Sequence, residues 1–139
     1  KITTSAFTVA VVTMVRADHS CGISDGDQIL YGGSAAGYIV RLPGGYTFYH
    51  AGDTALFSDM QLIAEMYRPE LAFLPIGDLF TMDPVQAARA CRYLGVRRVI
   101  PIHWGTFPAL TGTPQKLVKA LGDQGVNCEV IALKPGESW

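Results

Sequence analysis

Residues 46–76 read YTFYHAGDTALFSDMQLIAEMYRPELAFLPI, and the change of period inside this stretch decides the fold class. Four of the five residues at 46–50 are aromatic or β-branched, which is strand composition. Beyond the Gly52-Asp53 turn, Leu56, Met60, Ile63, Ala64 and Tyr67 recur at the spacing of one helix face, and Pro69 stops that helix. Residues 71–76 are then continuously apolar, as in a strand buried on both faces.

The same reading extends outward. Upstream, residues 36–42 and 46–50 are two strands joined by Pro43-Gly44-Gly45, a hairpin signal. Residues 24–33, with Asp25-Gly26-Asp27 and Gly32-Gly33, read as a loop, and residues 2–16, rich in Val, Thr and Phe, as one long strand or two short ones. Downstream, Asp83 caps a helix with Pro84 in its first turn, running through Tyr93 to a C-cap at Gly95. Residues 96–103 form a strand, Thr113-Pro114 open a third helix to Leu121, and residues 126–133 close with a strand. Strands first, then strands alternating with helices, make an α/β arrangement with helices packed on a sheet.

At 139 residues the chain has room for one core. Hydrophobic residues at 49% and charged residues at 17% exclude a disordered chain. The net charge is −1 and the nearest approach to a basic cluster is Arg97-Arg98, so the footprint of a nucleic-acid binder is missing. Cys21, Cys91 and Cys128 are odd in number and widely spaced, which fits free thiols in a reducing cytoplasm better than a disulfide framework or zinc knuckle. The longest apolar run, residues 6–15, is too short to span a bilayer, so no membrane partner is expected. No signal peptide is recognisable, and the start at Lys1 rather than Met points to an N-terminus elsewhere.

Three segments end a strand with a polar group and a turn: Ala17-Asp18-His19-Ser20, Tyr49-His50-Ala51-Gly52-Asp53-Thr54, and Ile100-Pro101-Ile102-His103-Trp104-Gly105-Thr106. Such strand ends are rigid and reachable by solvent, which suits ligand binding. Two imidazoles and a carboxylate suit Zn²⁺, and also Mn²⁺ or Fe²⁺. Each residue also has a plainer reading. Asp53 or Thr54 could cap the following helix, His103 could be an interior ring satisfied by a carbonyl, and His19 could be a solvated loop position. His50 fits either the core or the surroundings of a site, and Cys21 fits a small buried thiol or, beside His19 or His50, a nucleophile. All three histidines fall in these segments.

Read in order, Tyr49-His50-Ala51-Gly52-Asp53-Thr54, Leu74-Pro75-Ile76-Gly77, Phe80-Thr81-Met82, Ile100 to Phe107 and Leu133-Lys134-Pro135-Gly136-Glu137 resemble the carboxy-terminal half of one family. It is an uncharacterised group of metal-dependent hydrolases in the metallo-β-lactamase superfamily, close to the ascorbate-phosphate lactonase branch. The resemblance implies half of an αββα sandwich, residues 1–139 forming one partial domain, with a small-molecule substrate and two divalent metals, zinc first among them, at the edge between two sheets. It implies His19, Asp53 and His103 as metal ligands, Asp53 bridging the ions, with Asp53 and His103 carrying the catalysis. His50, Thr54, Thr81, Thr106 and Asp18 would surround the site or face substrate.

Two departures matter. The family's His-x-His-x-Asp-His motif, which supplies four more ligands, is absent, and Gly77-Asp78-Leu79-Phe80 replaces the expected Gly-Gly or Gly-Asn before Phe-Thr-Met. Half a sandwich also leaves a sheet face uncovered, so the chain is expected to pair with an amino-terminal half or a second copy. The competing reading is a truncated relative that acts as a non-catalytic interaction module.

Overall fold

Tyr49 turns its ring to one side of its strand while Phe48 and His50 turn theirs to the other, and that alternation divides the whole molecule into two apolar layers. The computed structural model describes residues 9–139. Along the chain come β1 (Val11–Arg16), β2 (Gly22–Asp25), β3 (Gln28–Tyr31), β4 (Ala36–Arg41), β5 (Thr47–His50), α1 (Met60–Tyr67), β6 (Leu71–Pro75), α2 (Pro84–Leu94), β7 (Arg98–Ile102), α3 (Pro114–Asp123) and β8 (Glu129–Val130). Six strands form one sheet in the order β1-β4-β5-β6-β7-β8. β4 runs antiparallel to β1 and β5, and β5 through β8 are parallel, linked by α1, α2 and α3. The α/β expectation holds.

One face of the sheet packs on the helices. Ile39, Tyr49, Ala72, Leu74 and Val99 meet Met60 and Ile63 of α1, Ala87 and Cys91 of α2, and Leu117 and Leu121 of α3 in one buried cluster. Each large side chain there contributes about 1.5–3 kcal/mol of burial. The register carries the opposite face across the sheet in rows, Val12-Val40-Phe48-Leu71 and Met14-Tyr38-His50-Phe73-Ile100. Its centre is partly shielded by Phe48, Phe73, Ile102 and Leu133 over Leu71, Ile100 and Ile131. Towards β1 it lies open: Val12 is 59%, Met14 70% and Tyr38 43% exposed.

The helix signals read well at α2. Asp83 accepts from Gln86 N at 2.7 Å, Gln86 Oε1 accepts in return from Asp83 N at 3.2 Å, and Gly95 takes the left-handed C-cap at φ +63°. Thr113 caps α3 by accepting from Lys116 N, and that helix runs to Asp123, past the expected Leu121. α1 begins only at Met60, with Asp59 as its N-cap and Arg68 left-handed just before Pro69.

Three expectations need correction. Residues 24–33 are not a loop, because β2 and β3 pair as a hairpin about Gly26-Asp27, Gly26 taking φ +58°. The turn chemistry was real, and the flanking strands are held by their ladder with every residue exposed, so no buried face announced them. The closing strand shrinks from residues 126–133 to Glu129–Val130, and the strand at 96–103 to Arg98–Ile102. Of the strand expected over residues 2–16, Val11–Arg16 is present and residues 2–8 lie outside the described residues.

Candidate metal centre

Because β1 and β5 both run antiparallel to β4, they are parallel to one another and to β6 and β7. The carboxy-terminal ends of all four strands therefore open on one edge of the sheet, where α/β proteins place ligands. His19 follows β1, Asp53 follows β5, residues 76–82 follow β6, and His103 follows β7.

Asp53 and His103 are brought face to face, with Nε2 of His103 3.7 Å from Oδ2 of Asp53. His103 leaves its strand in a left-handed conformation, φ +54°, unusual for a residue with a Cβ. It packs on Gly77, where an added Cβ would stand 2.2 Å from the His103 carbonyl oxygen. Gly77 is required by that approach. The Nδ1 of His103 is buried without a partner, so the reading of this ring as one satisfied by a backbone carbonyl is overturned.

Asp53 is aimed by the turn before it. Gly52 takes φ +65°, and a Cβ there would meet the Ala36 carbonyl oxygen at 2.7 Å. Gly52 N donates to Nδ1 of His50 at 3.2 Å, which assigns the His50 proton to Nε2, and the ring stacks on Phe73 at 5.3 Å. The capping alternative for Asp53 and Thr54 falls away, since Asp59 occupies the N-cap of α1. Thr54, fully buried, instead accepts from Asp18 N at 2.9 Å and donates to the Ala55 carbonyl, while Ala55 N donates to the Asp18 carbonyl at 2.8 Å. This strap ties the segment bearing His19 to the segment bearing Asp53.

His19 lies in the same cavity as Asp53 and His103, a space of about 460 Å³ that Asp18, Leu79 and Phe80 also line. Its Nδ1 is 2.8 Å from the Ser20 carbonyl oxygen, so that nitrogen donates there and Nε2 is the one left to meet a metal. Among the described residues no three His, Cys, Asp or Glu side chains gather closely enough to enclose a cation. The site thus brings two donors together and leaves the third across the cavity. The Asp18 carboxylate faces Arg16 at 3.9 Å and touches neither ligand ring. Thr81 is buried with an unpartnered hydroxyl, and Thr106 is exposed in a neighbouring groove that His103 also lines. All three cysteines are free thiols. Cys21 sits beside His19 in an adjoining cavity, but the Nδ1 atoms of His19 and His50 are engaged by Ser20 and Gly52.

The donors present fit a divalent ion. Zinc bonds nitrogen and carboxylate oxygen at about 2.0–2.2 Å, so two donors on one tetrahedral ion stand roughly 3.4 Å apart. The 3.7 Å between Asp53 and His103 is close to that span. Leu79 and Phe80 were missed as cavity residues. Their signal was two large apolar side chains in a turn, Phe80 being itself the first residue of the Phe80-Thr81-Met82 motif.

Residues 2–104 match the family described as the beta-lactamase superfamily domain. The chain belongs to that family. Within the β-lactamase superfamily it is 55% identical over 128 residues to a UPF0173 metal-dependent hydrolase of Koribacter versatilis, covering 92% of this chain and 53% of that protein. It is 57% identical over 127 residues to a UPF0173 metal-dependent hydrolase of Solibacter usitatus, covering 91% and 54%. Among solved structures it resembles Igni18, a metallo hydrolase from Ignicoccus hospitalis, with 36% identity, a TM-score of 0.77, and coverage of 92% of this chain and 51% of that one. A solved structure from Parabacteroides distasonis aligns with a TM-score of 0.62 at 25% identity, covering 88% of this chain and 50% of that one. The chain spans about half the length of the relatives it matches. No helix among the described residues is long and apolar enough to cross a membrane.

Proposed function

We infer that this chain is the carboxy-terminal half of a metal-dependent hydrolase, active when an amino-terminal half of the same family completes the domain. The observation that carries the reading is the 3.7 Å approach of Asp53 to His103 at the strand-end edge of a β-lactamase-superfamily sheet. The names of the relatives, metal-dependent hydrolases at 55% and 57% identity, support it.

The uncovered sheet face and the share of each relative that is matched support the same partner. The family resemblance assigns the missing His-x-His-x-Asp-His ligands to the other half, and the row from Val12 to Leu71 offers that half an apolar floor. Asp53, His103 and His19 are the residues of this chain that would hold the ions. Divalent ions held there, zinc or in its place manganese or iron, would supply Lewis acidity to activate water and the carbonyl or phosphoryl group of the substrate. The chain's own part is to present imidazole nitrogens and a rigid carboxylate. Ser20 fixes the His19 tautomer, and the Gly52 turn and the Thr54 strap fix the angle between Asp53 and His19.

Metal content tests the proposal. The completed domain should hold close to two equivalents of transition metal per unit and lose hydrolytic activity to a chelator. Intact, folded, metal-free material would favour the second reading, a non-catalytic module, whose support is that no three ligands gather among the described residues. Activity lost to thiol alkylation but indifferent to chelators would favour a Cys21 nucleophile.

A further inference from the structure

The turn between β6 and α2 breaks two local rules at once. Asp78 at φ +73° and Leu79 at φ +60° are consecutive left-handed residues, a conformation in which Cβ crowds the following carbonyl. Leucine has neither the bare backbone of glycine nor the short polar side chain with which asparagine adapts to that region. The strain is held both from within the turn and from outside it. Asp78 Oδ1 accepts from Leu79 N at 2.8 Å, Asp78 Oδ2 accepts from the Thr111 hydroxyl at 3.0 Å, and Lys116 Nζ donates to the Thr111 carbonyl at 2.7 Å. A buttress thus runs from α3 to the turn, and the carboxylate that distinguished Gly77-Asp78 in the sequence is its keystone.

Burial does not repay the strain, because Leu79 and Phe80 are each 62% exposed. Strain retained without packing gain is a mark of function. Both side chains instead wall the cavity that holds His19, Asp53 and His103. Among the described residues that cavity is lined by carboxylates, Asp18 and Asp53, and by no Lys or Arg. A charged group on the substrate, away from the reacting centre at the metal ligands, would find no counter-ion among these side chains. The surroundings suit an uncharged substrate.

We propose that Leu79 and Phe80 form an apolar shelf that selects an uncharged carboxylic ester or lactone with an alkyl acyl chain, an inference that rests on the hydrolase reading above. The chemistry balances with water alone: a bond forms from the water oxygen to the acyl carbon, the acyl carbon–alkoxide oxygen bond breaks, and a proton passes to the alkoxide to give acid and alcohol. Full burial of one methylene is worth about fourfold in specificity, so a one-sided shelf gives about twofold.

The test uses the metal-loaded completed domain and p-nitrophenyl acetate, butyrate and octanoate, corrected for their rates with hydroxide. kcat/KM should rise on the order of 50-fold from acetate to octanoate, that is about twofold for each of the added methylenes. Leu79→Asn and Phe80→Ser should flatten the slope, and Leu79→Asn should also raise Tm by a few degrees, roughly the relief of one left-handed leucine. An unchanged slope in both variants, or a lower Tm for Leu79→Asn because the other half covers that side chain, overturns the inference. Preference for bis-p-nitrophenyl phosphate over the octanoate ester overturns it while the hydrolase reading stands. No turnover of ester or phosphodiester with metal bound overturns both.

Discussion

Replacing Thr54 by Val keeps the shape of a fully buried side chain and removes one oxygen. That oxygen accepts from Asp18 N at 2.9 Å and donates to the Ala55 carbonyl at 2.9 Å. The variant therefore leaves the Asp18 N–H unpaired while the companion bond from Ala55 N to the Asp18 carbonyl survives. A buried donor left unsatisfied costs about 1–3 kcal/mol, and since Asp18 is itself exposed the lower half of that range applies, about 1–2 kcal/mol. For a domain of this size the loss is roughly 3–8 °C in Tm. The strap also sets His19 against Asp53, so metal affinity of the completed domain should fall about 10-fold or more. Thermal unfolding and a competitive zinc titration measure the two effects, and Thr54→Ser, which keeps the hydroxyl, should recover most of both. The reasoning fails if Val is as stable and binds zinc as tightly as Thr, or if Ser is as poor as Val.

Other outcomes follow from single features of the molecule. Tyr49 is buried with an unpartnered hydroxyl and its phenol is pushed up to about 12 by desolvation, so Tyr49→Phe should be neutral or stabilising by about 1 kcal/mol in urea unfolding. Gly77→Ala puts a methyl 2.2 Å from the His103 carbonyl oxygen and should cost about 2 kcal/mol or more and displace His103, seen as lost metal affinity in the same titration. Cys91 and Cys128 interact as a coupled pair: the interaction, together with burial, raises the pKa of Cys91, and it lowers that of Cys128 against the opposing effect of that thiol's own burial. A lowered thiol pKa puts thiolate at lower pH, so iodoacetamide should label half-buried Cys128 below the pH at which a free cysteine reacts and leave Cys91 unlabelled until unfolding. Peptide mass mapping across pH reads this directly.

Most of the sheet was legible because its strands are buried: residues 71–76 could be continuously apolar only between two covered faces, and Asp83-Pro84 with Gly95 punctuated α2 by stereochemistry alone. The β2–β3 hairpin escaped because its residues are all exposed, leaving no alternation to read. At the site, the pairing of Asp53 with His103 was accessible through the strand-end positions and the family motifs, which brought together residues 50 apart in sequence. The rest depended on backbone geometry that composition does not encode. The left-handed turns at Asp78, Leu79 and His103 are spelled with residues that ordinarily avoid them, and the Thr54 strap looks in sequence like a helix cap. The narrower kinship with ascorbate-phosphate lactonases is an expectation that the motifs alone carry.

The most direct test is an anomalous difference map at the zinc edge from crystals of the completed domain. The account predicts a peak about 2.0–2.2 Å from both Asp53 Oδ2 and His103 Nε2, with His19 Nε2 on a second peak that shares Asp53. A zinc ion bound elsewhere, with Asp53 and His103 bonded only to each other, would contradict it.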